Sequence, residues 1–80
     1  MRSLSKIAVE IMQDWRPVNY AARPYLNAMC NLTSIKDKYI CDSGLEIVSY
    51  FLSNAGSWKG DTARRIKAEL KAMVKEEMKR

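Results

Sequence analysis

The sequence predicts an all-α protein, a small single-domain helical bundle of about four helices that spans residues 1–80. Apolar residues recur at three- and four-residue spacing in several segments, which is typical of helices with one buried face. Hydrophobic residues make up 48% of the chain and charged residues 29%, a balance found in folded proteins. A chain of 80 residues forms one domain and buries about 60–65% of its unfolded surface, so the predicted core is small.

The first helix is predicted from residue 4 to residue 15. Ser3 is a suitable N-cap, because its hydroxyl can accept a hydrogen bond from a free N–H group of the first turn. Pro17 ends the helix, since proline has no N–H to donate. One face carries apolar residues at helical spacing, namely Leu4, Ile7, Ala8, Ile11 and Trp15.

The second helix is predicted to start with Pro24 in its first turn and to end near Asn31 or Leu32. Residues 18–23 before it form a linker or a loose turn. Between residues 33 and 43 the apolar periodicity breaks, which indicates a loop or a single helical turn. We expect this segment to be the most mobile part of the chain.

A third helix is predicted after Asp42 or Ser43, either of which can serve as its N-cap. Its apolar residues cover most of its circumference, so we expect it at the centre of the bundle. These residues are a stripe of Leu45, Val48, Leu52 and Ala55, widened by Ile47 and Phe51. Gly56 is predicted to close this helix in the left-handed conformation that glycine adopts at low cost.

The fourth helix is predicted to follow an Asp61 cap and to run from Thr62 almost to the C-terminus. Three faces follow from about 100° of rotation per residue. The buried face carries Ala63, Ile66, Leu70, Met73 and Val74. A basic stripe carries Arg64, Lys67, Lys71, Lys75 and Lys79, and a mixed face carries Arg65, Glu69 and Glu76.

The residue inventory argues against an enzyme and against a metal or other cofactor. The chain has no histidine and two cysteines, so a zinc site lacks two of its usual four ligands. Cys30 and Cys41 are expected to be reduced, partly buried thiols. Acid–base catalysis needs titratable groups that converge in a cleft. The carboxylates are scattered along the chain, and two of them are explained as helix caps.

The net charge of +5 and the pI near 9.4 suit an acidic partner, which can be nucleic acid or an acidic protein surface. Residues 1–11 contain charged side chains and no continuous apolar segment. We therefore expect neither a secretory signal nor a membrane span, and a cytoplasmic protein.

The candidate partner-binding residues are those of the fourth helix and the turn before it: Trp58, Lys59, Arg64, Arg65, Lys67 and Lys71. Arg64 and Arg65 are the stronger candidates, because a cation near a helix N-terminus is disfavoured by the helix dipole and needs another explanation. The alternative interpretation of the basic stripe is a solvated face. A helix-turn-helix is a further alternative, although the connection over residues 56–61 is longer than its usual turn.

The aromatic residues divide into two groups. Trp15, Tyr50 and Phe51 fall within predicted helices and are expected in the core, where each buries a large area. Trp58 and Tyr20 lie in connections, where an aromatic side chain either holds the turn against the core or protrudes toward a partner.

Six segments of the chain carry a further signal when they are taken together, namely residues 7–15, 22–29, 42–44, 50–55, 58–60 and 63–67. In these segments the chain resembles a group of short, uncharacterised proteins from phages and prophages of Gram-positive bacteria. The resemblance extends over nearly the whole chain and supplies no established catalytic or ligand residues. It implies an accessory protein that binds host machinery, such as an inhibitor of CRISPR nucleases or of another defence system.

The function expected from the sequence is therefore that of a non-enzymatic phage protein in the host cytoplasm, which binds a host or defence-system protein. The alternative is a small basic DNA- or RNA-binding protein. These two classes differ in salt response, because phosphate neutralisation makes affinity fall steeply with salt. A structural protein that self-associates through apolar helix faces is a third class. The sequence leaves the oligomeric state open.

Overall fold

In the computed structural model, which describes residues 2–40 and 42–79, helices surround one apolar core. The described residues contain α1 (Leu4–Asp14), α2 (Arg23–Met29), a hairpin of β1 (Lys38–Tyr39) and β2 (Asp42–Ser43), α3 (Gly44–Ser53) and α4 (Asp61–Met78). The molecule measures 32 × 23 × 20 Å between its Cα atoms. The mostly helical single-domain bundle predicted from the sequence is confirmed.

Helix α1 begins as predicted, because the Ser3 side chain accepts a hydrogen bond from the Lys6 N–H at 3.3 Å. Its buried residues are Leu4, Ile7, Ala8 and Ile11. The N–H groups of Leu4 and Ser5 donate to the carbonyls of Thr33 and Leu32 at 3.0 and 2.9 Å. These two bonds attach the first turn of α1 to the segment that follows α2.

Helix α2 contains Pro24 in its first turn as predicted, but it ends at Met29. The prediction of Asn31 or Leu32 was therefore wrong. The N–H groups of Asn31 and Leu32 bond carbonyls three residues earlier, at 3.0 and 3.1 Å, so the chain tightens into turns there.

The segment predicted as a loop over residues 33–43 contains the hairpin of β1 and β2. Lys38 lies opposite Ser43, and Tyr39 lies opposite Asp42. Strands of two residues are too short to show an alternating pattern, which is why the sequence did not predict them. Ile40 adopts a φ of 58°, in the left-handed region that β-branched residues rarely occupy.

Helix α3 is capped by Ser43, the second of the two predicted candidates. The Ser43 hydroxyl accepts from the Glu46 N–H at 3.1 Å, and the Glu46 carboxylate accepts from the Ser43 N–H at 3.1 Å. This is a complete capping box. Helix α3 packs against α2 and α4, and α1 packs against the same two helices, so each of the four helices has two main neighbours in the bundle.

The predicted buried stripe of α3 was partly wrong. Ile47, Val48 and Phe51 are fully buried, whereas Leu45 and Leu52 are half-buried. The sequence could not fix the rotation of the helix, because apolar residues occupy most of its circumference.

The predicted caps between α3 and α4 were also wrong. Asn54, not Gly56, closes α3, and its N–H bonds carbonyls of the last turn. The left-handed conformation falls on Gly60, whose φ is 114° and which is the N-cap of α4. Asp61 is thus the first residue of α4 and makes no capping bond.

The aromatic residues that hold the connection to the core are Trp15, Phe51 and Trp58. The indoles of Trp15 and Trp58 stack with their centroids 5.6 Å apart, and the Phe51 ring meets both edge-on. Trp58 is 2% exposed. The prediction for Tyr50 was wrong, because this side chain is 44% exposed and packs on Tyr25 with ring centroids 5.4 Å apart.

Candidate functional site

Lys59 of the connection after α3 and Lys67 of α4 line the same shallow pocket, and Lys71 follows Lys67 one turn farther along α4. The Lys67 ammonium donates a hydrogen bond to the Trp58 carbonyl at 2.6 Å and lies 5.9 Å from the centroid of the Trp58 ring. Burial lowers the pKa of Lys67, and the charges of Lys59 and Lys71 lower it further. Lys67 is therefore repelled by both Lys59 and Lys71.

The same basic surface continues along α4 through Lys75 and Lys79, both of which are exposed. We refer to these five residues, Lys59, Lys67, Lys71, Lys75 and Lys79, as the lysine row. Among residues 2–40 and 42–79, no salt bridge involves a member of the lysine row. The row is a surface of positive charge that the described part of the protein does not neutralise.

The opposite side of α4 is neutralised by ion pairs to α1. Arg2 bonds the carboxylates of Glu10 and Glu69, with both ion-pair distances at 2.6 Å. Arg65 also pairs with Glu10. The bond from Arg2 lowers the pKa of Glu69, and the bonds from Arg2 and then Arg65 lower that of Glu10.

The structure places the sequence-predicted binding residues in three different environments. Lys59 and Lys71 are exposed and Lys67 is half-buried, so these three belong to the lysine row. Arg64 is exposed beside the row, and Asp61 partly compensates it with an ion pair at 3.4 Å. Arg65 lies on the neutralised side of α4, paired with Glu10.

Trp58 is the sixth of these residues, and it supports the surface from beneath. Its indole N–H donates to the Asp14 carboxylate at 2.8 Å, and its ring is buried. A shallow pocket of about 270 Å³ lies above it, with Lys59, Arg64 and Lys67 on its walls. Trp58 therefore holds the lysines in position, and its side chain is not free to enter a partner.

The sequence did not single out an apolar depression beside the end of the lysine row. Leu52 of α3 and Val74 and Met78 of α4 line an open groove of about 360 Å³. The other lining residues are Lys71, Lys75 and Lys79. We refer to this depression as the C-terminal groove. Met78 is 70% exposed. The helical periodicity of α4 places Met78 outside the buried face, so the sequence could have indicated this exposure.

The start of α4 does not resemble a recognition helix that would enter a DNA groove. Asp61 is fully exposed at its first position, and Glu10 and Asp14 of α1 lie beside it through their bonds to Arg65 and Trp58. Carboxylates at this end would repel phosphates. Four of the five members of the lysine row, all except Lys59, lie farther along the chain than these carboxylates.

In the part of the chain that the structure describes, no three metal-ligating side chains come together. Cys30 is a half-buried free thiol, and burial raises its pKa, so at neutral pH it is protonated and a weak nucleophile. Cys41, the other cysteine predicted to be a free thiol, lies outside the described residues.

None of the described helices is both long enough and apolar enough to cross a membrane. Comparisons of the chain with models of protein families, with curated proteins and with solved structures find no match.

Proposed function

We propose that this protein is a non-enzymatic binding protein whose lysine row holds an acidic surface of a partner protein. The observation that carries the proposal is that Lys59 and Lys67 line one surface pocket and Lys71, Lys75 and Lys79 line another, and that none of the five forms a salt bridge with a described residue. Like charges held close together reduce the stability of the folded chain. A partner that supplies carboxylates relieves this repulsion on binding, so the arrangement favours an acidic partner.

Two observations favour a protein over a nucleic acid as the partner. The lysine row borders the apolar floor of the C-terminal groove, and protein interfaces combine an apolar centre with a charged rim. Acidic side chains lie at the start of α4, where a phosphate backbone would have to pass if α4 were a recognition helix.

The biological setting that we propose rests on the resemblance to phage and prophage proteins. In this setting the protein acts in the cytoplasm of a bacterial host and binds a protein of the host or of its defence system. A CRISPR nuclease is one such target. Its inhibition would require an acidic patch on the nuclease that matches the lysine row in charge and extent.

Affinity capture with charge-reversed variants tests this proposal. Tagged protein is incubated with nuclease-treated lysate of a Gram-positive host, and retained proteins are identified by mass spectrometry. We expect a specific acidic protein that is retained by the native chain and lost by the Lys59→Glu/Lys71→Glu variant. The matched control is Lys6→Glu/Lys36→Glu, which changes the net charge equally at exposed positions outside α4 and should retain the same protein.

Two results would contradict the proposal. Equal loss of binding in both double variants, with an affinity for duplex DNA that falls steeply with salt, would identify the protein as a nucleic-acid binder. Retention of the same partner by all variants would exclude the lysine row from binding.

For the defence setting, expression of the native chain in a host with an active CRISPR system should raise phage plating efficiency, and expression of the Lys59→Glu/Lys71→Glu variant should not.

A further inference from the structure

We propose that the C-terminal groove is the docking site for an acidic amphipathic helix of the partner protein. This inference rests on the proposed function and names the part of the partner that is bound. It follows from the shape of the groove, the spacing of its lysines and the chemistry of its floor.

The floor of the groove is apolar and accessible. Leu52 and Val74 are half-buried by the packing of α3 against α4, and Met78 extends beside them with 70% of its surface exposed. Methionine adapts its shape to different apolar partners because its side chain is unbranched and polarizable. The floor can therefore accept the apolar stripe of a helix that is laid along it.

The lysines of the rim are spaced to match a helix. Lys71, Lys75 and Lys79 follow one another at four-residue intervals on α4, and all three line the groove. Four residues of helix advance about 6 Å along the axis. Glutamates or aspartates at four-residue intervals on a second helix have the same spacing, so three ion pairs can form along the rim while apolar residues occupy the floor.

Other occupants fit the groove less well. A phosphate backbone would not provide apolar groups to contact the apolar floor of the groove. A membrane-surface helix presents a broad apolar face with aromatic residues, whereas the floor here is narrow and contains no aromatic side chain. A second copy of this chain offers, among its described helices, the carboxylates Glu10 and Asp14 at four-residue spacing, and both already bond to Arg65 and Trp58.

A designed peptide tests the inference with purified full-length protein. The peptide is a helix of about 18 residues, with leucines on one face and glutamates at four-residue intervals beside them, and it carries a fluorophore for anisotropy. One control peptide has the same composition in a scrambled order. A second control has glutamine in place of each glutamate.

We expect the native chain to bind the designed peptide at least about tenfold more tightly than either control peptide. Lys75→Glu/Lys79→Glu should weaken binding about tenfold, because attraction at the rim becomes repulsion. Met78→Ser should weaken it by a similar factor, since the floor loses apolar area. Both changes are at exposed sites, so circular dichroism should show an unchanged fold, and Lys36→Glu should bind like the native chain.

Equal binding of the scrambled peptide, or unchanged binding after Met78→Ser, would overturn the inference. So would tighter binding to phosphatidylserine vesicles or duplex DNA than to the peptide, or a dimer in sedimentation experiments that the peptide fails to dissociate.

Capture of the host protein by each variant distinguishes a failure of this inference from a failure of the proposed function. A partner lost by Lys59→Glu/Lys71→Glu and retained by both Met78→Ser and Lys75→Glu/Lys79→Glu supports the function and refutes the groove as the docking site. A partner retained by Lys59→Glu/Lys71→Glu and lost by both Met78→Ser and Lys75→Glu/Lys79→Glu supports the groove and refutes the proposed role of Lys59 and Lys71.

Discussion

At the residue scale, the indole of Trp58 connects the core to the basic surface. The Trp58 ring stacks on Trp15, and its indole N–H donates a hydrogen bond to Asp14. The backbone carbonyl of Trp58 accepts a hydrogen bond from the Lys67 ammonium. The sequence left open whether Trp58 holds the turn or protrudes, because both behaviours are common for an aromatic residue in a connection. The partner that decides between them, Asp14, is 44 residues away in sequence.

Trp58→Ala should lower the free energy of unfolding by about 3–5 kcal/mol, because it removes a large buried side chain and leaves a cavity between Trp15 and Phe51. Urea unfolding followed by circular dichroism measures the loss. Tyr20→Ala is the matched control, since Tyr20 is 86% exposed, and it should unfold like the native chain. Equal stability of both variants would mean that the connection is not held by the indole.

The carboxylate of Glu10 makes stability depend on pH in the acid range. Its pKa is lowered in the folded protein by the bonds from Arg2 and Arg65. A carboxylate with a lowered pKa in the folded state stabilises that state at pH values above the ordinary glutamate pKa of about 4.3. This stabilisation is lost as the pH falls through the pKa of the folded state. Glu69 behaves in the same way through Arg2.

Glu10→Gln should therefore lower the melting temperature at neutral pH and make it less sensitive to acid. Thermal unfolding at a series of pH values from about 7 down to about 2 compares the two proteins across the glutamate range. The curves should approach one another as the pH falls through the lowered folded pKa, because the native carboxylate becomes protonated there. Parallel curves over the whole series would show that the bonds to Arg2 and Arg65 do not stabilise the fold.

At the scale of the helices, the long periodic segments were predictable and their ends were less so. Helices α1 and α4 show one apolar face over 11 and 18 residues, long enough for the helical period to be unambiguous. The connection between α3 and α4 contains Gly56 and Gly60, and Asp61 follows it as the first residue of α4; all three are residue types found at helix ends. The sequence does not say which glycine takes the left-handed conformation, because that depends on how the connection docks.

Substitution of each glycine by alanine should give three different results. Gly44→Ala should destabilise by about 1–3 kcal/mol, because a Cβ would lie 2.7 Å from the backbone oxygen of Ile35. Gly60→Ala should cost about 1–2 kcal/mol, since its φ of 114° is unfavourable for alanine. Gly56→Ala has open space and an ordinary φ, so it should stabilise by about 0.4–1 kcal/mol. Denaturant titration of the three variants checks this order, and destabilisation by Gly56→Ala would contradict it.

The capping box of α3 gives a second test of a helix end. Ser43→Ala removes the acceptor for the Glu46 N–H and should cost about 1 kcal/mol. Ser43→Asp keeps an acceptor at the cap and should restore most of the loss. Thermal unfolding compares the two variants, and equal melting temperatures would show that the Ser43 side chain does not stabilise α3.

At the scale of the whole molecule, α4 has a neutralised side toward α1 and an uncompensated side that carries the lysine row. Helical spacing predicted a basic stripe of Arg64, Lys67, Lys71, Lys75 and Lys79, and the lysine row differs from it by containing Lys59 in place of Arg64. The ion pair of Arg65 could not be predicted from sequence, because its partner Glu10 is 55 residues away and meets it through the docking of α1 on α4. Arg64 and Lys67 remain on the predicted side.

Neutralising one cation on each side of α4 should change stability in opposite directions. Arg65→Gln should lower the melting temperature, because Glu10 loses a partner. Lys71→Gln should leave the melting temperature unchanged or raise it, because it relieves repulsion with Lys67. Scanning calorimetry at low ionic strength, where surface charges are least screened, gives the clearest comparison. A lower melting temperature for Lys71→Gln would show that the lysine row stabilises the fold.

Hydrogen bonds between residues that are far apart in the sequence also determine when the bundle can be completed during synthesis. Arg2 meets Glu69 across 67 residues of chain, which a ribosome takes on the order of 3–13 s to add. For that time the apolar face of α1 lacks α4, and Arg2 lacks one of its carboxylates. The core also waits for Ile66, Leu70 and Met73 of α4. The nascent chain therefore carries an unfinished apolar face until α4 has emerged.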